Sequence, residues 1–432
     1  MSYTTMGVLA IVALLVLIFL KVPIAYSLGL VGLAGCAIVL NSVTAGGLVA
    51  KEAFRTVASY SMTVVPLFIL MGNFVALTGM GDDAYDVADK WSGRVHGNIG
   101  IATMIGCALF ASVSGSALAT AATFEPVSFP RMRDRRYPDG FSTGVLAAGS
   151  TIGIMIPPSV ILVYYGVLAE TSVGELFAAG FLPGIVLTLM FCAYCFIYCF
   201  IHRNTILRSE EKVPFIEKLK SLKGIIALVL LFVIVIGGIY SGIVTPNEAA
   251  GVGCAISLIY ALAKRRLTWK LLLNAMVDAV RTTVMLMFIM VGAKMFNYFL
   301  VLTNLPNIVS TAIVNLPIGK YGILGVILLI YLFLGCFLDS YTMITLTLPF
   351  FLPVVVGMGY SPVWFGILMV IISAMGLMTP PLGLCCYVLD GMCDVPLFKI
   401  FKGCLPFIAI YILFTFLLAA CPDIVMLLPN MM

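Results

Sequence analysis

Apolar runs long enough to cross a hydrocarbon core of ~30 Å as helices recur along the whole chain. They lie at 3–20, 22–40, 61–79, 141–169 and 177–201, and again at 225–243, 247–263, 283–304, 362–389 and 404–428. The first run lacks a basic leader and passes directly into the second, so it reads as a span and not as a cleaved signal. A further apolar segment, 98–130, is interrupted by Ser112, Ser114, Gly115, Ser116, Thr120, Pro126 and Pro130 and is flanked by Arg94 and Arg131. Like-charged flanks predict that it enters and leaves on one side, as a re-entrant hairpin, and 321–353 repeats the pattern. Residues 48–60 and 266–282 read as amphipathic helices along the interface. Their polar faces carry Lys51, Glu52 and Arg55, then Lys270, Asp278 and Arg281.

The pattern is a duplication. Gly153-Ile-Met-Ile-Pro-Pro158 and Gly376-Leu-Met-Thr-Pro-Pro381 stand 223 residues apart. At the same offset Pro23, Pro126, Pro130 and Pro183 meet Pro246, Pro349, Pro353 and Pro406, and Tyr164 meets Tyr387. Proline occurs at about 5%, so such agreement is not chance. The predicted units are a first repeat, 1–203, with a broken helix at 141–169, a polar cytoplasmic linker, 204–222, and a second repeat, 223–432, with a broken helix at 362–389.

Charge gives the units their direction. Basic residues gather in Arg131-Met-Arg-Asp-Arg-Arg136, in 202–223, in Lys264-Arg-Arg266 with Lys270, and at Lys399 and Lys402, which places these loops in the cytoplasm. The counterparts of two of them, Val354–Gly359 and Asn41-Ser-Val43, carry no charge. Equivalent loops therefore face opposite sides, and the repeats are inverted, each with about five spans and one hairpin and with both chain termini outside. Composition fits this all-α polytopic membrane protein. Apolar residues make up 62% and charged residues 10%, against ~25% charged in soluble domains, and the mean hydropathy is +1.15. The 12 cysteines sit mostly inside apolar runs with no paired spacing in a polar loop, which excludes a disulfide framework or zinc site. The net charge of +5 is a topology signal and implies no nucleic acid.

Candidate chemistry follows from the breaks. A proline removes an N–H and clashes with the carbonyl four residues earlier, so Gly-x-x-x-Pro-Pro in mid-span frees carbonyl oxygens. Irregular backbone at membrane depth is tolerated only where protein buries it or where it lines a watery cavity. Inverted repeats with discontinuous helices are the architecture of secondary transporters, which bind cations on such carbonyls. The hairpins add Ser112, Ser114 and Ser116 around Gly115, and Asp339 with Ser340 after Gly335. The expectation is one cation site per repeat, where hairpin meets broken helix. Asp339 is a functional candidate as an intramembrane carboxylate, or else a helix cap. Glu125 either snorkels to the cytoplasmic face or takes part in the site. Lys294 and Asn297 either pair with a carboxylate or satisfy broken backbone. Glu248 reads as part of the helix start after Pro246, and His96 and His202 as solvated.

These motifs resemble those of the large membrane subunit of tripartite ATP-independent periplasmic (TRAP) transporters, of the ion-transporter superfamily. The resemblance rests on Val65-Pro-Leu-Phe-Ile-Leu-Met-Gly72, Ser114-Gly-Ser-Ala-Leu-Ala-Thr-Ala-Ala122, Pro130-x-Met132, Gly153-Ile-Met-Ile-Pro-Pro-Ser159, Leu176–Gly184, Gly238–Ala250, Gly335-Cys-Phe-Leu-Asp339 and Gly376-Leu-Met-Thr-Pro-Pro-Leu-Gly383. It implies sodium-coupled import of an organic acid, such as a dicarboxylate or sialic acid, across the bacterial inner membrane by an elevator displacement, with sodium as the coupling ion and no other cofactor. It also implies a small four-helix membrane subunit and a periplasmic substrate-binding protein as partners in the lipid bilayer. Carried over by motif, a first sodium site would use Ser114, Ser116, Gly153, Ile156 and Pro158. A second would use Gly335, Gly376, Thr379 and Leu382, mostly through backbone oxygens, with Asp339, Ser340 and Ser112 as accessory polar groups.

Two other classes compete. A stand-alone sodium/dicarboxylate carrier would carry Ser-Asn-Thr motifs at its hairpin tips, and these are absent. An intramembrane aspartyl protease would need facing carboxylates, for which Asp339 and Asp390 are the pair available, but Asp390 lacks a Gly-x-Gly-Asp setting.

Overall fold

The computed structural model describes residues 2–207, 213–265, 267–314 and 317–432. Arg266, and 208–212 of the linker, lie outside the described residues. The described chain is helical: α1 (Tyr3–Phe19), α2 (Ile24–Val39), α3 (Ser42–Val57), α4 (Val64–Thr78), α5 (Met80–Ser92), α6 (Asn98–Ser114), α7 (Ala117–Asp134), α8 (Asp139–Ile152), α9 (Val160–Leu168), α10 (Val173–Ile201) and α11 (Phe215–Phe232). A π-turn then leads into α12 (Gly238–Tyr240), followed by α13 (Pro246–Ala263), α14 (Trp269–Leu302), α15 (Leu305–Val314), α16 (Gly319–Gly335), α17 (Ser340–Gly357), α18 (Pro362–Gly376), α19 (Leu384–Cys393), α20 (Leu397–Ala420) and α21 (Pro422–Met426).

Among the described residues six helices have the length and apolar character to cross a membrane, and six shorter ones are apolar. Helix ends keep the period of the sequence: α7 and α17 both start and stop 223 residues apart, as do the starts of α8 and α18. Packing exchanges partners in the same way. Helix α2 lies on α14, and its counterpart α13 lies on α4.

Two expectations change. The amphipathic segment and span at 266–282 and 283–304 form one helix, α14, because no glycine or proline separates them. Helix α5 had no hydropathy signature: its acidic face carries Asp82, Asp83, Asp86 and Asp89 while Met80, Ala84, Tyr85 and Ala88 are buried, packed toward α6.

The basic loops converge on one pole. Arg131 reaches Asp86 at 3.7 Å and Asp89 at 3.5 Å, and Lys264 reaches Asp83 at 3.8 Å. Arg133 and Lys399 share Asp139 at 3.0 and 3.1 Å. Burial pushes the Asp139 carboxyl up, but these two cations outweigh it and hold it below the usual carboxylate range. Helices α4 and α13 both run toward this pole, α4 leading into α5 with its Asp83 and α13 ending before Lys264. Their far ends meet where Asn247 Nδ2 donates to the Tyr60 carbonyl at 2.6 Å.

Candidate functional site

The first hairpin turns at Gly115, whose φ of +64° lies in the left-handed region that suits glycine. Ser116 then caps α7, its Oγ accepting from Ala119 N–H at 3.2 Å. Ser114 is buried, with its Oγ 3.3 Å from Thr120 Oγ1, and Thr120 also donates to the Ser116 carbonyl at 2.8 Å. Ser112 is spent on its own helix, donating to the Leu109 carbonyl at 2.8 Å.

The broken helix α8–α9 presses its gap against this tip. A Cβ on Gly153 would stand 2.6 Å from the Ala111 carbonyl carbon, and one on Gly72 of α4 would stand 3.0 Å from that of Ser114. Only glycine permits either approach. Inside the gap Ser159 Oγ donates to the Ile154 carbonyl and accepts from Leu162 N–H. Among the described residues no backbone N–H reaches the carbonyl oxygens of Gly153, Ile156 or Pro158.

The second hairpin and the gap between α18 and α19 repeat this geometry with different side chains. A Cβ on Gly376 would stand 3.0 Å from the Gly335 carbonyl carbon and nearer still to its oxygen. Leu382 N–H donates to the Cys336 carbonyl at 3.4 Å, tying gap to hairpin. The Gly376 carbonyl accepts from Thr379 N–H at 3.2 Å, whereas those of Gly335, Thr379 and Leu382 receive no backbone hydrogen bond among the described residues. Thr379 Oγ1 donates to the Met375 carbonyl at 2.7 Å.

Each hairpin thus meets its gap, at Gly153 against Ala111 in the first repeat and at Gly376 against Gly335 with Leu382 against Cys336 in the second. Asp339 caps α17, accepting from Tyr341 and Thr342 N–H at 3.1 and 3.2 Å. The neighbouring Ser340 Oγ is buried without a partner among the described residues. Asp390, the other acid of a protease reading, is exposed on α19.

Glu125 does not snorkel: it is buried against Cys393, 3.6 Å from its sulfur. Lys294 meets neither expectation placed on it. Its helix is unbroken there, and no carboxylate or hydrogen-bond partner accompanies it among the described residues. Sequence reasoning gave Gly72 and Thr120 no role of their own, although both lie inside quoted motifs. Their roles are contacts across the fold, which spacing alone does not reveal.

Solved structures and characterised sequences place this arrangement. The crystal structure of the Alcanivorax borkumensis YdaH transporter superposes with a TM-score of 0.60 over 88% of this chain and 89% of that one, at 13% identity, a likeness of fold. The C4-dicarboxylate TRAP transporter large permease protein DctM of Pseudomonas aeruginosa is 33% identical over 94% of both chains. The sialic acid TRAP transporter large permease protein SiaM of Vibrio cholerae is 32% identical over 96% of both. The isethionate TRAP transporter permease protein DctMQ of Oleidesulfovibrio alaskensis is 34% identical over 90% of this chain and 61% of its own length. The sequence model for the DctM component of the tripartite ATP-independent periplasmic transporters matches residues 11–424. The chain is a polytopic membrane transport component and not an enzyme, and it belongs to the DctM family of TRAP transporter large permeases.

Proposed function

We propose that this chain is the sodium-coupled, binding-protein-dependent permease of a tripartite importer of a small organic anion in the bacterial inner membrane, with both termini periplasmic. The observation that carries the reading is the pair of gaps. Each brings carbonyl oxygens without backbone partners against a hairpin tip, the donor type that alkali cations take in secondary transporters. On this reading Ser114, Ser116, Gly153, Ile156 and Pro158 hold one sodium ion, and Gly335, Gly376, Thr379 and Leu382 hold another. The two sites belong to inverted repeats, 1–203 and 223–432. The hairpins and gaps move as one body against α1–α4 and α11–α15.

The relatives support the substrate class. C4-dicarboxylates, sialic acid and isethionate, the compounds in their names, are all anions. A small membrane subunit and a periplasmic binding protein complete the proposed complex.

The test is uptake of a radiolabelled organic acid into proteoliposomes holding this chain and its small subunit. Uptake should require the loaded binding protein and an inward sodium gradient. Equal uptake with choline in place of sodium would refute the coupling. Robust uptake without any binding protein would refute the tripartite reading in favour of a self-sufficient carrier.

A further inference from the structure

A cavity of about 740 Å³ opens at the pole opposite the basic loops, and none of the residues of the two gaps lines it. Its walls come from the C-terminal end of α3 and the turn before α4, the α9–α10 loop, the α12–α13 connection and the middle of α14. Ser59, Tyr60, Ser61 and Asn247 make the lining polar, and two cations, Arg55 and Lys294, join them.

Lys294 is the telling member. It lies eight residues inside the C-terminal end of α14, about 12 Å below that end at 1.5 Å per residue. A lysine at such depth in a membrane-spanning helix is costly and normally faces a partner or a watery cavity. Lys294 has the cavity and no partner: neither it nor Arg55 makes an ion pair or side-chain hydrogen bond among the described residues. Among the described lining residues Glu170, on the α9–α10 loop, is the one acidic side chain. Two helices, α10 and α13, begin at the rim, capped by Ser172 and Thr245, but Glu175 and Glu248 in their first turns offset the positive ends of their dipoles, so the positive charge of the cavity is that of Arg55 and Lys294. Field lines from these groups focus in a low-dielectric cleft and raise the local concentration of anions.

We propose that this cavity is an entry site for a small organic anion, with Lys294 at its floor and Arg55 at its mouth as the groups that recognise the anionic end. The inference rests on the transport reading above and adds to its two cation sites a place for the anion, apart from the gaps.

The test has one arm that needs no transport. Ser61→Cys, exposed on the cavity wall, is introduced into the full chain in proteoliposomes and labelled from outside. The probes are the sulfonatoethyl (anionic) and trimethylammonioethyl (cationic) methanethiosulfonates, with the parent chain as background. The anionic reagent should be favoured, and Lys294→Gln or Arg55→Gln should each cut the anionic-to-cationic rate ratio by about fivefold. In the uptake arm, Lys294→Gln should raise half-saturating substrate about tenfold, and Lys294→Arg should restore it. A rate ratio insensitive to both charges, or unchanged half-saturation in Lys294→Gln, overturns the entry site. If Lys294→Gln does not fold, Arg55→Gln carries the rate-ratio comparison, with Lys294→Arg as its charge-conserving control, and a ratio unchanged in Arg55→Gln overturns the site. Failure of the parent chain to transport anything, with the labelling bias intact, would count against the transport reading and leave the anion site standing.

Discussion

Replacing Gly376 by alanine tests whether hairpin and gap must touch for the cation to bind. The new Cβ would stand 3.0 Å from the Gly335 carbonyl carbon and 3.1 Å from its Cα, where ordinary contact begins at 3.4 Å. All the atoms it meets are backbone, so no side-chain rotation relieves the clash. The hairpin must withdraw by several tenths of an ångström at its carbon and by more at its oxygen. Overpacking of this kind costs ~1–3 kcal/mol, and 1.4 kcal/mol is about tenfold in an equilibrium constant. On the proposed sodium site, a Gly335 carbonyl displaced this far would no longer converge with those of Thr379 and Leu382. The half-saturating sodium concentration for uptake should therefore rise at least about tenfold. Gly325→Ala is the control, since it lies in the same hairpin helix and a Cβ there meets nothing within 4 Å; its sodium dependence should be unchanged. Gly376→Ala protein that folds and keeps the parent sodium curve would refute the convergence of hairpin and gap on one ion.

Gly403→Ala places a Cβ 2.5 Å from the Gly140 carbonyl carbon, where α20 crosses the start of α8, and should lower the melting temperature in detergent by the equivalent of ~1–3 kcal/mol. Asp339→Asn, which can still cap α17, should keep uptake and stability, while Asp339→Ala should lose about 1 kcal/mol of stability in the same melting assay. Asp139→Asn removes two ion pairs that solvent partly screens, worth ~1 kcal/mol together. The folded-state pKa of Asp139 is depressed, so its contribution is fully present above the unfolded carboxyl value of about 3.9 and is lost as pH falls through the lower folded value. The melting temperatures of parent and Asp139→Asn should therefore differ at pH 6 and converge toward pH 3.

Much of this fold was legible because its irregularities are written in residues that cannot be anything else. Gly-x-x-x-Pro-Pro must interrupt a helix, and Ser114-Gly-Ser116 must turn one. Both appear at the numbers where the sequence puts them, 153–158 and 114–116. Asp339 before an apolar helix was readable as a cap, and it is one. What escaped was short or relational. Helix α5 is brief and half acidic, so averaged hydropathy erases it, although its apolar face is buried. Lys294 was conspicuous as a charge in a span, but its lack of a partner depends on what α3 and the α9–α10 loop bring beside it.

The duplication hides an inequality that the structure makes measurable. Every residue from 151 to 160 in the first gap is buried, whereas Pro380, Pro381 and Leu382 in the second are exposed. Beyond the gaps, Tyr164 donates to or accepts from Thr345 Oγ1 at 2.5 Å, while its counterpart Tyr387 is 48% exposed and, among the described residues, its hydroxyl donates to the Pro381 carbonyl at 3.4 Å and to no other group. The residue that stands to Tyr387 as Thr345 stands to Tyr164 is Ala122, which has no hydroxyl to offer. If transport exchanges the environments of the two gaps, the exchange breaks one buried hydrogen bond and cannot form its mirror image. The two end states then differ by about 1 kcal/mol from this source, a bias of roughly fivefold toward the state seen here. Thr345→Val removes the bond and keeps the shape, so it should shift the balance by that factor without lowering sodium affinity. Labelling of a cysteine introduced at Val160 should then speed up about fivefold in the Thr345→Val chain. An unchanged labelling rate in folded protein would mean that Tyr164 and Thr345 stay together throughout the cycle, and that the inequality of the halves lies elsewhere.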